Sequence, residues 1–144
     1  MRRLTETPDD EYYASWSPDG RYIVMEQRAD DNRDIVVMDK AGGPLQNVTN
    51  HPARDHLPAW SPDGKQILFA SRRNGPDDVY VMDRDGANVQ NLTDDASVDI
   101  MAKWSPDGTR IVFVSNRGGS FAVYVMQADG DDVERLEKEI EGGR

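Results

Sequence analysis

The sequence has no cysteine, few large aliphatic residues and far fewer basic than acidic residues. The absence of cysteine excludes disulfides, thiolate zinc sites and cysteine nucleophiles. Leu, Ile, Val and Phe together make up only 28 of the 144 residues, and 17 Lys and Arg stand against 27 Asp and Glu, for a formal net charge of −10. A chain so acidic and so poor in aliphatic residues has a composition typical of disorder. The first question is therefore whether the chain can bury a core.

Long apolar runs and basic stripes are also missing from the sequence. No apolar run approaches the roughly 18 residues that cross a membrane, so no membrane insertion is predicted. The first residues, 1–6, lead directly into polar sequence without the apolar stretch of a signal peptide, so none is predicted in this chain. Because no basic stripe is available to neutralise phosphates, nucleic acid is not an expected partner.

An internal repeat answers the question of disorder. The string Trp-Ser-Pro-Asp-Gly occurs three times, starting at Trp16, Trp60 and Trp104, with a spacing of 44 residues each time. Besides the tryptophans, we take the turn residues of this string as the signature of the repeat: Asp19, Asp63, Asp107, Gly20, Gly64 and Gly108. Five identical residues that recur twice at one spacing define a true repeat.

Each repeat unit reads as short strands separated by turns. Val, Ile, Phe and Tyr fill the runs between Ser-Pro-Asp-Gly and the later Asp- and Gly-rich turns, and no helical period is present. Four short strands in about 44 residues are typical of one β-propeller blade. The sequence therefore predicts an all-β fold of three four-stranded antiparallel blades. The predicted parts are the end of a preceding repeat or a latch at 1–10, blades at 11–54, 55–98 and 99–137, and a charged tail at 138–144.

The repeat resembles a known family. The block 58–71, followed by 79–83 and by 91–93, is similar to the WD-like repeat of TolB-type propellers, which also occurs in propeller domains of some prolyl-oligopeptidase relatives. The resemblance extends over roughly residues 11–137, and it implies a six-bladed ring that acts as a protein-binding adaptor. Members of this family are often periplasmic.

Three blades are too few for a closed propeller, since blade counts are typically 4–8. An open array would expose apolar blade faces at both ends, and such faces normally mark interaction surfaces. We therefore expect two chains to join head to tail into a six-bladed ring. Other closed assemblies, or a half propeller that aggregates or stays monomeric, are the alternatives.

The sequence offers no catalytic constellation. It has no Gly-Xaa-Ser-Xaa-Gly motif. The two histidines, His51 and His56, lie in one predicted inter-unit loop and do not recur in the other units, so they are interpreted as solvated loop residues. No enzymatic activity, no cofactor and no metal centre are predicted.

One set of carboxylates recurs outside the turns. Glu11, Asp55 and Asp99 stand 44 residues apart, each just before the first strand of its unit. In a closed ring they would form a circle of like charges at one mouth of the channel, where a cation or a basic peptide could relieve the repulsion. The alternative is that they point into solvent at the strand edge.

Residues of the first strands and arginines of the loops differ in type or number between the units. Tyr13, Leu57 and Met101 alternate with Ser15, Ala59 and Lys103 on the first strands, so one of these sets is expected to face the channel. The arginines of the loops between second and third strands are interpreted as surface ion pairs with nearby acids; they are Arg28, Arg72, Arg73 and Arg117.

The sequence thus favours a non-catalytic propeller that assembles with itself and binds proteins or peptides. The alternative is an accessory propeller of a larger peptidase- or lyase-like enzyme, or a propeller that binds a cation in its channel. Fold alone does not decide between them.

Overall fold

The chain folds into three sheets of four antiparallel strands, which confirms the all-β class and the three four-stranded blades. A computed structural model describes residues 1–137, and the tail predicted at 138–144 lies outside the described residues. Within each sheet the strands follow sequence order. The strands are β1 (Asp10–Trp16), β2 (Tyr22–Ala29), β3 (Asn32–Asp39) and β4 (Gln46–Asn47) in blade 1; β5 (Asp55–Trp60), β6 (Gln66–Ser71), β7 (Asp78–Asp83) and β8 (Gln90–Asn91) in blade 2; and β9 (Asp99–Trp104), β10 (Arg110–Ser115), β11 (Ala122–Gln127) and β12 (Glu134–Arg135) in blade 3.

The Ser-Pro-Asp-Gly motif forms the turn between the first and second strand of every blade. In blade 1 the amide of Gly20 donates to the carbonyl of Ser17 at 2.8 Å, and Gly20 takes a φ of 67°. Blades 2 and 3 repeat this bond and the left-handed glycine. Glycine is suited to this place because a left-handed conformation costs it no clash with a Cβ. The three turns therefore have one geometry.

A β-bulge interrupts the first strand of each blade. The pairing of β1 with β2 shifts register between Tyr12 and Ser15, and the equivalent pairings in blades 2 and 3 shift at the equivalent place. One bulge residue in each blade is left-handed: Tyr13 at φ 54°, Leu57 at 57° and Met101 at 59°. A bulge re-aims the side chains of its strand, so these three residues share one orientation relative to their blades.

The hydrophobic core lies between the blades. We call the face that packs on the preceding blade the front face and the opposite one the back face. The back face of blade 1 (Val24, Ile35, Val37 and Val48) packs on the front face of blade 2 (Ile67, Phe69, Tyr80 and Met82). The back face of blade 2 (Leu68, Val79, Val81 and Leu92) packs on the front face of blade 3 (Ile111, Phe113, Tyr124 and Met126). Burial is thus achieved by stacking of sheets, which resolves the low aliphatic content.

The front face of blade 1 is covered by the N-terminal segment of residues 1–9. Ile23, Met25, Val36 and Met38 form a third buried cluster, and Leu4 and Leu45 pack against it. In addition, a guanidinium nitrogen of Arg2 donates to the carbonyl of Ala41 at 2.7 Å. Leu4 precedes Val48 and Leu92 by one and two repeats, so it occupies the place that a fourth strand of a preceding blade would fill.

The back face of blade 3 has no such cover within the described residues. It consists of Val112, Val114, Val123, Val125 and Leu136. In blades 1 and 2, by contrast, the back face lies between two sheets. Val123 is 42% exposed and Leu136 is 54% exposed. Within residues 1–137, one end of the array therefore leaves an apolar sheet face uncovered.

Among residues 1–137, no helix combines the length and apolarity that crossing a membrane would require.

Candidate functional site

A cavity of about 410 Å³ opens where the first strands of the three blades come together. Its wall is built from the bulged parts of β1, β5 and β9 and is lined by Tyr13, Ala14, Ser15, Leu57, Pro58, Met101 and Lys103. First strands of neighbouring blades contact each other, as β1 does β5 and β5 does β9. The cavity thus lies on the side of the array where the first strands converge, which would be the channel side of a closed ring.

The bulge explains why large apolar side chains face this cavity. Tyr13 is 61% exposed and Met101 is 55% exposed, although both belong to strands that line a packed fold. A left-handed conformation at a non-glycine residue costs about 1–3 kcal/mol, and it occurs here once per blade at the same position. The blade scaffold therefore holds these side chains in place on the channel side.

The sequence predicted that one of two alternating sets would face the channel. The structure divides them differently, because the bulge breaks the alternation. Tyr13, Leu57 and Met101 all line the cavity, and Ser15 and Lys103 line it with them. Ala59 instead is buried in the core between blades 2 and 3. Lys103 is the charged side chain of this wall, so the lining combines apolar surface with one positive charge.

Two of the three predicted channel carboxylates are buried in ion pairs. Asp55 and Asp99 are both fully buried. Oδ2 of Asp55 accepts a hydrogen bond from Arg73 at 2.7 Å, and Oδ2 of Asp99 accepts one from Arg117 at 2.8 Å. Burial raises the pKa of Asp55 above its ordinary value, against the opposing influence of Ser71 and Arg73. The alternative interpretation, that these acids point into solvent, is therefore wrong for both aspartates.

Each of these arginines is held between its aspartate and a pair of aromatic rings. The Arg73 guanidinium lies 5.3 Å from the ring centre of Phe69 and 5.1 Å from that of Tyr80, and the two rings stack on each other. Arg117 repeats the arrangement on Phe113 and Tyr124 at 5.2 and 5.3 Å. Cation–π contacts of this kind strengthen as the cation is desolvated. Arg73 and Arg117 are therefore structural clamps of blades 2 and 3.

Blade 1 lacks this clamp. Ala29 stands where Arg73 stands in blade 2, and Met25 and Val36 replace the two aromatic rings. The blade 1 carboxylate, Glu11, is half-buried and accepts hydrogen bonds from the hydroxyls of Thr5 and Thr7 instead. The N-terminal segment therefore takes the place of the arginine in blade 1.

The ring of Glu11, Asp55 and Asp99 as a cation or basic-peptide site stays a prediction. Oδ1 of Asp55 and Oδ1 of Asp99 are buried without a hydrogen-bond partner among the described residues. Within residues 1–137, no three His, Cys, Asp or Glu side chains come close enough to hold a metal ion together.

The turn aspartates are part of local hydrogen-bond networks. Oδ1 of Asp107 accepts from the hydroxyl of Ser105 at 2.6 Å and from the amide of Thr109 at 3.0 Å. These bonds, together with one from the Thr109 hydroxyl, lower the pKa of Asp107 to about 2. Asp19 and Asp63 accept the equivalent bonds from a serine hydroxyl and a backbone amide, which lower the pKa of each. These carboxylates stabilise turns.

His56 departs from the sequence prediction. It lies in β5, is 6% exposed and places Nε2 2.8 Å from Oδ1 of Asp77. Burial raises the pKa of Asp77, but the hydrogen bonds from His56 and Arg72 outweigh it and lower the pKa below its ordinary value. The prediction of a solvated loop histidine is therefore wrong for His56.

A further buried acid, Glu26, was not singled out from the sequence. Glu26 lies on the back face of blade 1 and is fully buried, where blades 2 and 3 have Ala70 and Val114. Its carboxylate accepts from a guanidinium nitrogen of Arg33 and from the amide of the bulge residue Leu57. Glu26 thus links blade 1 to the bulge of blade 2.

The family of the chain follows from the repeat. A family model described as the TolB β-propeller domain matches residues 2–93 and 58–142. The chain belongs to the TolB β-propeller domain family. The resemblance of the Trp-Ser-Pro-Asp-Gly repeat to TolB-type propellers is thereby confirmed. No curated protein matches the chain.

Solved structures with the same fold include TolB and peptidase propellers. TolB from Acinetobacter baumannii is 29% identical with a TM-score of 0.81, over 94% of this chain and 34% of that one. A putative TolB from Agrobacterium tumefaciens is 23% identical with a TM-score of 0.72, over 96% of this chain and 65% of that one. A puromycin-hydrolyzing peptidase from Mycobacterium tuberculosis is 17% identical with a TM-score of 0.80, over 96% of this chain and 23% of that one. The chain thus spans less than two thirds of the length of each.

Sequence reasoning missed the pairing of Asp55 with Arg73 and of Asp99 with Arg117. The available signal was the common offset of 18 residues from each aspartate to its arginine, which is absent from the first repeat. The left-handed residues had no signal, because Tyr, Leu and Met do not favour that conformation.

Proposed function

We propose that this TolB-family chain is a non-catalytic scaffold that pairs with a second copy to close a six-bladed ring. The observation that carries the proposal is the exposed back face of blade 3. The equivalent faces of blades 1 and 2 are buried against the next sheet, while Val123 remains 42% exposed. Burial of apolar surface stabilises by about 25 cal/mol per Å², so a second copy that covers this face gains a driving force for association.

The second copy is favoured as the occupant because its front face of blade 1 is built to the same pattern. Ile23 and Met38 are the equivalents of Ile67 and Met82, which receive the back face of blade 1. A blade 3 to blade 1 contact would therefore imitate the contacts within the chain. Applied twice, it closes by twofold symmetry and leaves no open sheet face.

We further propose that the ring binds a protein or peptide on its channel side. The support is the cavity of about 410 Å³, which is of the size and apolar character of binding clefts. Tyr13, Leu57 and Met101 offer contact surface, and Lys103 favours an acidic group near the apolar contact. A ligand with basic groups would instead require the carboxylates of Asp55 and Asp99, whose charges are already paired with arginines.

The alternative of an accessory propeller in a larger enzyme gains no separate support. The likeness to the puromycin-hydrolyzing peptidase has 17% identity and shows the fold alone.

Light scattering during size-exclusion chromatography tests the assembly. We expect twice the chain mass of 16.2 kDa. Val123→Glu places a charge on the proposed contact and is expected to yield the single-chain mass. Val89→Glu is the matched control, because Val89 is 38% exposed but belongs to the hairpin after β7. A wild-type mass of 16.2 kDa would overturn the ring.

Binding on the channel side is tested by fluorescence anisotropy with two peptide probes. Both contain Leu and Phe, one flanked by Glu and the other by Lys. We expect the Glu-flanked peptide to bind and Met101→Ala to weaken it. Preference for the Lys-flanked peptide, lost in Asp99→Asn and kept in Met101→Ala, would point to the carboxylate ring instead.

A further inference from the structure

The two ends of the chain carry the same structural element, and a closed ring has one place for it. Leu4 and Leu136 are both equivalents of Val48 and Leu92, the residues that follow the fourth strands of blades 1 and 2. Val48 and Leu92 fill the gap between their own blade and the next one. At the junction between two copies, Leu136 of one copy and Leu4 of the other would therefore compete for the same position.

The N-terminal segment forms no strand of its own, but it already places Leu4 at that position. The carbonyl of Val48 lies against Gly86 of the next blade, and the carbonyl of Leu92 lies against Gly130. The carbonyl of Leu4 lies against Gly42, the equivalent glycine of blade 1, although less closely than at the other two junctions. Relative to blade 1, Leu4 thus sits as the fourth-strand residue of a preceding blade would.

The strand β12 lacks the side chains that fasten the other fourth strands. In blade 1 the hydroxyl of Thr49 accepts from the amide of Ile35 at 2.9 Å and donates to Asp34. Asn47 donates to the same carboxylate at 3.0 Å.

Blade 2 repeats these bonds of a threonine and an asparagine to one aspartate, which we call the lock, with Thr93, Asn91 and Asp78. In blade 3 the equivalent positions hold Glu137, Arg135 and Ala122, so the threonine hydroxyl and the carboxylate of the third strand are both missing. The strand β12 is therefore held by its backbone bonds, such as that from the amide of Leu136 to the carbonyl of Val123.

The N-terminal segment retains part of the lock. Thr5 stands at the position of Thr49 and Thr93, next to Leu4. Its hydroxyl could accept from the amide of Val123 of a second copy, as Thr49 accepts from Ile35. On hydrogen bonding alone, the segment is a better fourth strand for blade 3 than β12 is.

We propose that, in the ring, residues 2–5 of each copy form the fourth strand of blade 3 of the other copy and displace β12. This inference rests on the proposed ring. The N-terminal segment stays on its own blade 1, and only β12 moves. Each junction is then a shared blade, in which three strands come from one copy and the fourth from its partner.

Disulfide trapping tests the exchange, because the chain has no cysteine of its own to interfere. Val125 pairs with Glu134 in β12, as Val37 pairs with Gln46 in blade 1. By the repeat, the exchanged strand would place Arg2 of the second copy opposite Val125. Paired residues of antiparallel strands have Cα atoms about 4.5–5.5 Å apart, within the range that a disulfide bridges.

Three double variants of the full chain are compared after mild oxidation. We expect Arg2→Cys with Val125→Cys to run as a covalent dimer on a non-reducing gel. Val125→Cys with Glu134→Cys should remain largely reduced at concentrations where the ring forms. Val37→Cys with Gln46→Cys is the matched control, since its disulfide lies within one chain in either arrangement.

The outcomes separate the exchange from the ring. A dimeric mass, with a disulfide between positions 125 and 134 but none between 2 and 125, would overturn the exchange and leave the ring. A mass of 16.2 kDa would overturn both.

Leu136→Asp gives a second readout that does not use cysteine. With β12 displaced, this substitution should leave the dimer dissociation constant within about twofold of the wild type. If β12 stayed in the junction, the charge would replace a buried leucine and weaken the dimer about tenfold or more, which would contradict the proposal.

Discussion

Two glycines with nearly the same backbone conformation are predicted to differ sharply when alanine replaces them. Gly86 has a φ of 90° and Gly119 has a φ of 93°. Both end a turn in which their amide donates to a carbonyl three residues earlier, at 2.8 and 2.9 Å. The cost of placing an alanine in a left-handed conformation is therefore common to both sites, at about 1–2 kcal/mol.

The surroundings of the two glycines separate them. A Cβ at Gly119 would meet nothing within 4 Å, whereas a Cβ at Gly86 would lie 2.2 Å from the carbonyl oxygen of Val48. Real Cβ atoms essentially never come closer than 3.0 Å to such an atom. Because the obstacle is backbone at the junction of blades 1 and 2, relief requires that the sheets move apart. Overpacking of this kind costs about a further 1–3 kcal/mol.

Two more glycines extend the comparison into a graded series. The new Cβ would lie 2.6 Å from the carbonyl of Leu92 at Gly130 and 3.4 Å from that of Leu4 at Gly42. The expected order of destabilisation is therefore Gly86→Ala, then Gly130→Ala, then Gly42→Ala close to Gly119→Ala. Gly86→Ala should lower the free energy of unfolding by about 2–5 kcal/mol in total.

Urea unfolding, followed by tryptophan fluorescence, measures the four free energies from midpoints at a common m-value. The difference between Gly86→Ala and Gly119→Ala removes the shared conformational cost. If that difference stayed below about 0.5 kcal/mol, within the spread usual for surface substitutions, the blades would not be packed through these backbone contacts.

Two further predictions concern charged groups. The pKa of Asp107 is lowered to about 2, so the stability that its carboxylate contributes is present above its ordinary pKa of about 4 and is lost as the pH falls from 4 towards 2. In thermal unfolding at pH 2–5, Asp107→Asn should therefore lose less melting temperature in that window than the wild type. Equal losses would contradict the turn bonds. Arg73→Met leaves the fully buried Asp55 without its partner and should lower the free energy of unfolding by about 3–5 kcal/mol. The double variant Asp55→Asn with Arg73→Met should lower it by less. If urea unfolding showed that the effects of the two single substitutions simply add in the double variant, the clamp would be contradicted.

The repeat allowed the strands and turns to be predicted from the sequence. Ser-Pro-Asp-Gly specifies its turn through local bonds, such as that from the Ser61 hydroxyl to Asp63, so its geometry depends on neighbouring residues alone. The alternation of apolar residues in β6 then assigns Leu68 to one face and Phe69 to the other. Strand ends were predicted less well: Asp55 was placed just before the first strand of its unit, whereas β5 begins at Asp55 itself, because the bulge hides the extended residues before it.

Contacts between distant residues could not be predicted in the same way. The pairing of Asp55 with Arg73 and the burial of His56 against Asp77 depend on how β5 and the loop after β6 are brought together. Composition assigns acids, arginines and histidines to the surface on average. It was the aromatic surface of Phe69 and Tyr80 that made a nearly buried arginine favourable.

The bulge in each first strand separates the shape of the channel wall from its chemistry. The same left-handed backbone carries an aromatic ring at Tyr13, a branched chain at Leu57 and a thioether at Met101. Tyr13 and Met101 are more than half exposed, so their side chains contribute little to the packing between blades. Substitutions at these three positions can therefore change the chemistry of this cavity while the blades stay as they are, which makes them natural sites for engineering a binding surface onto this fold.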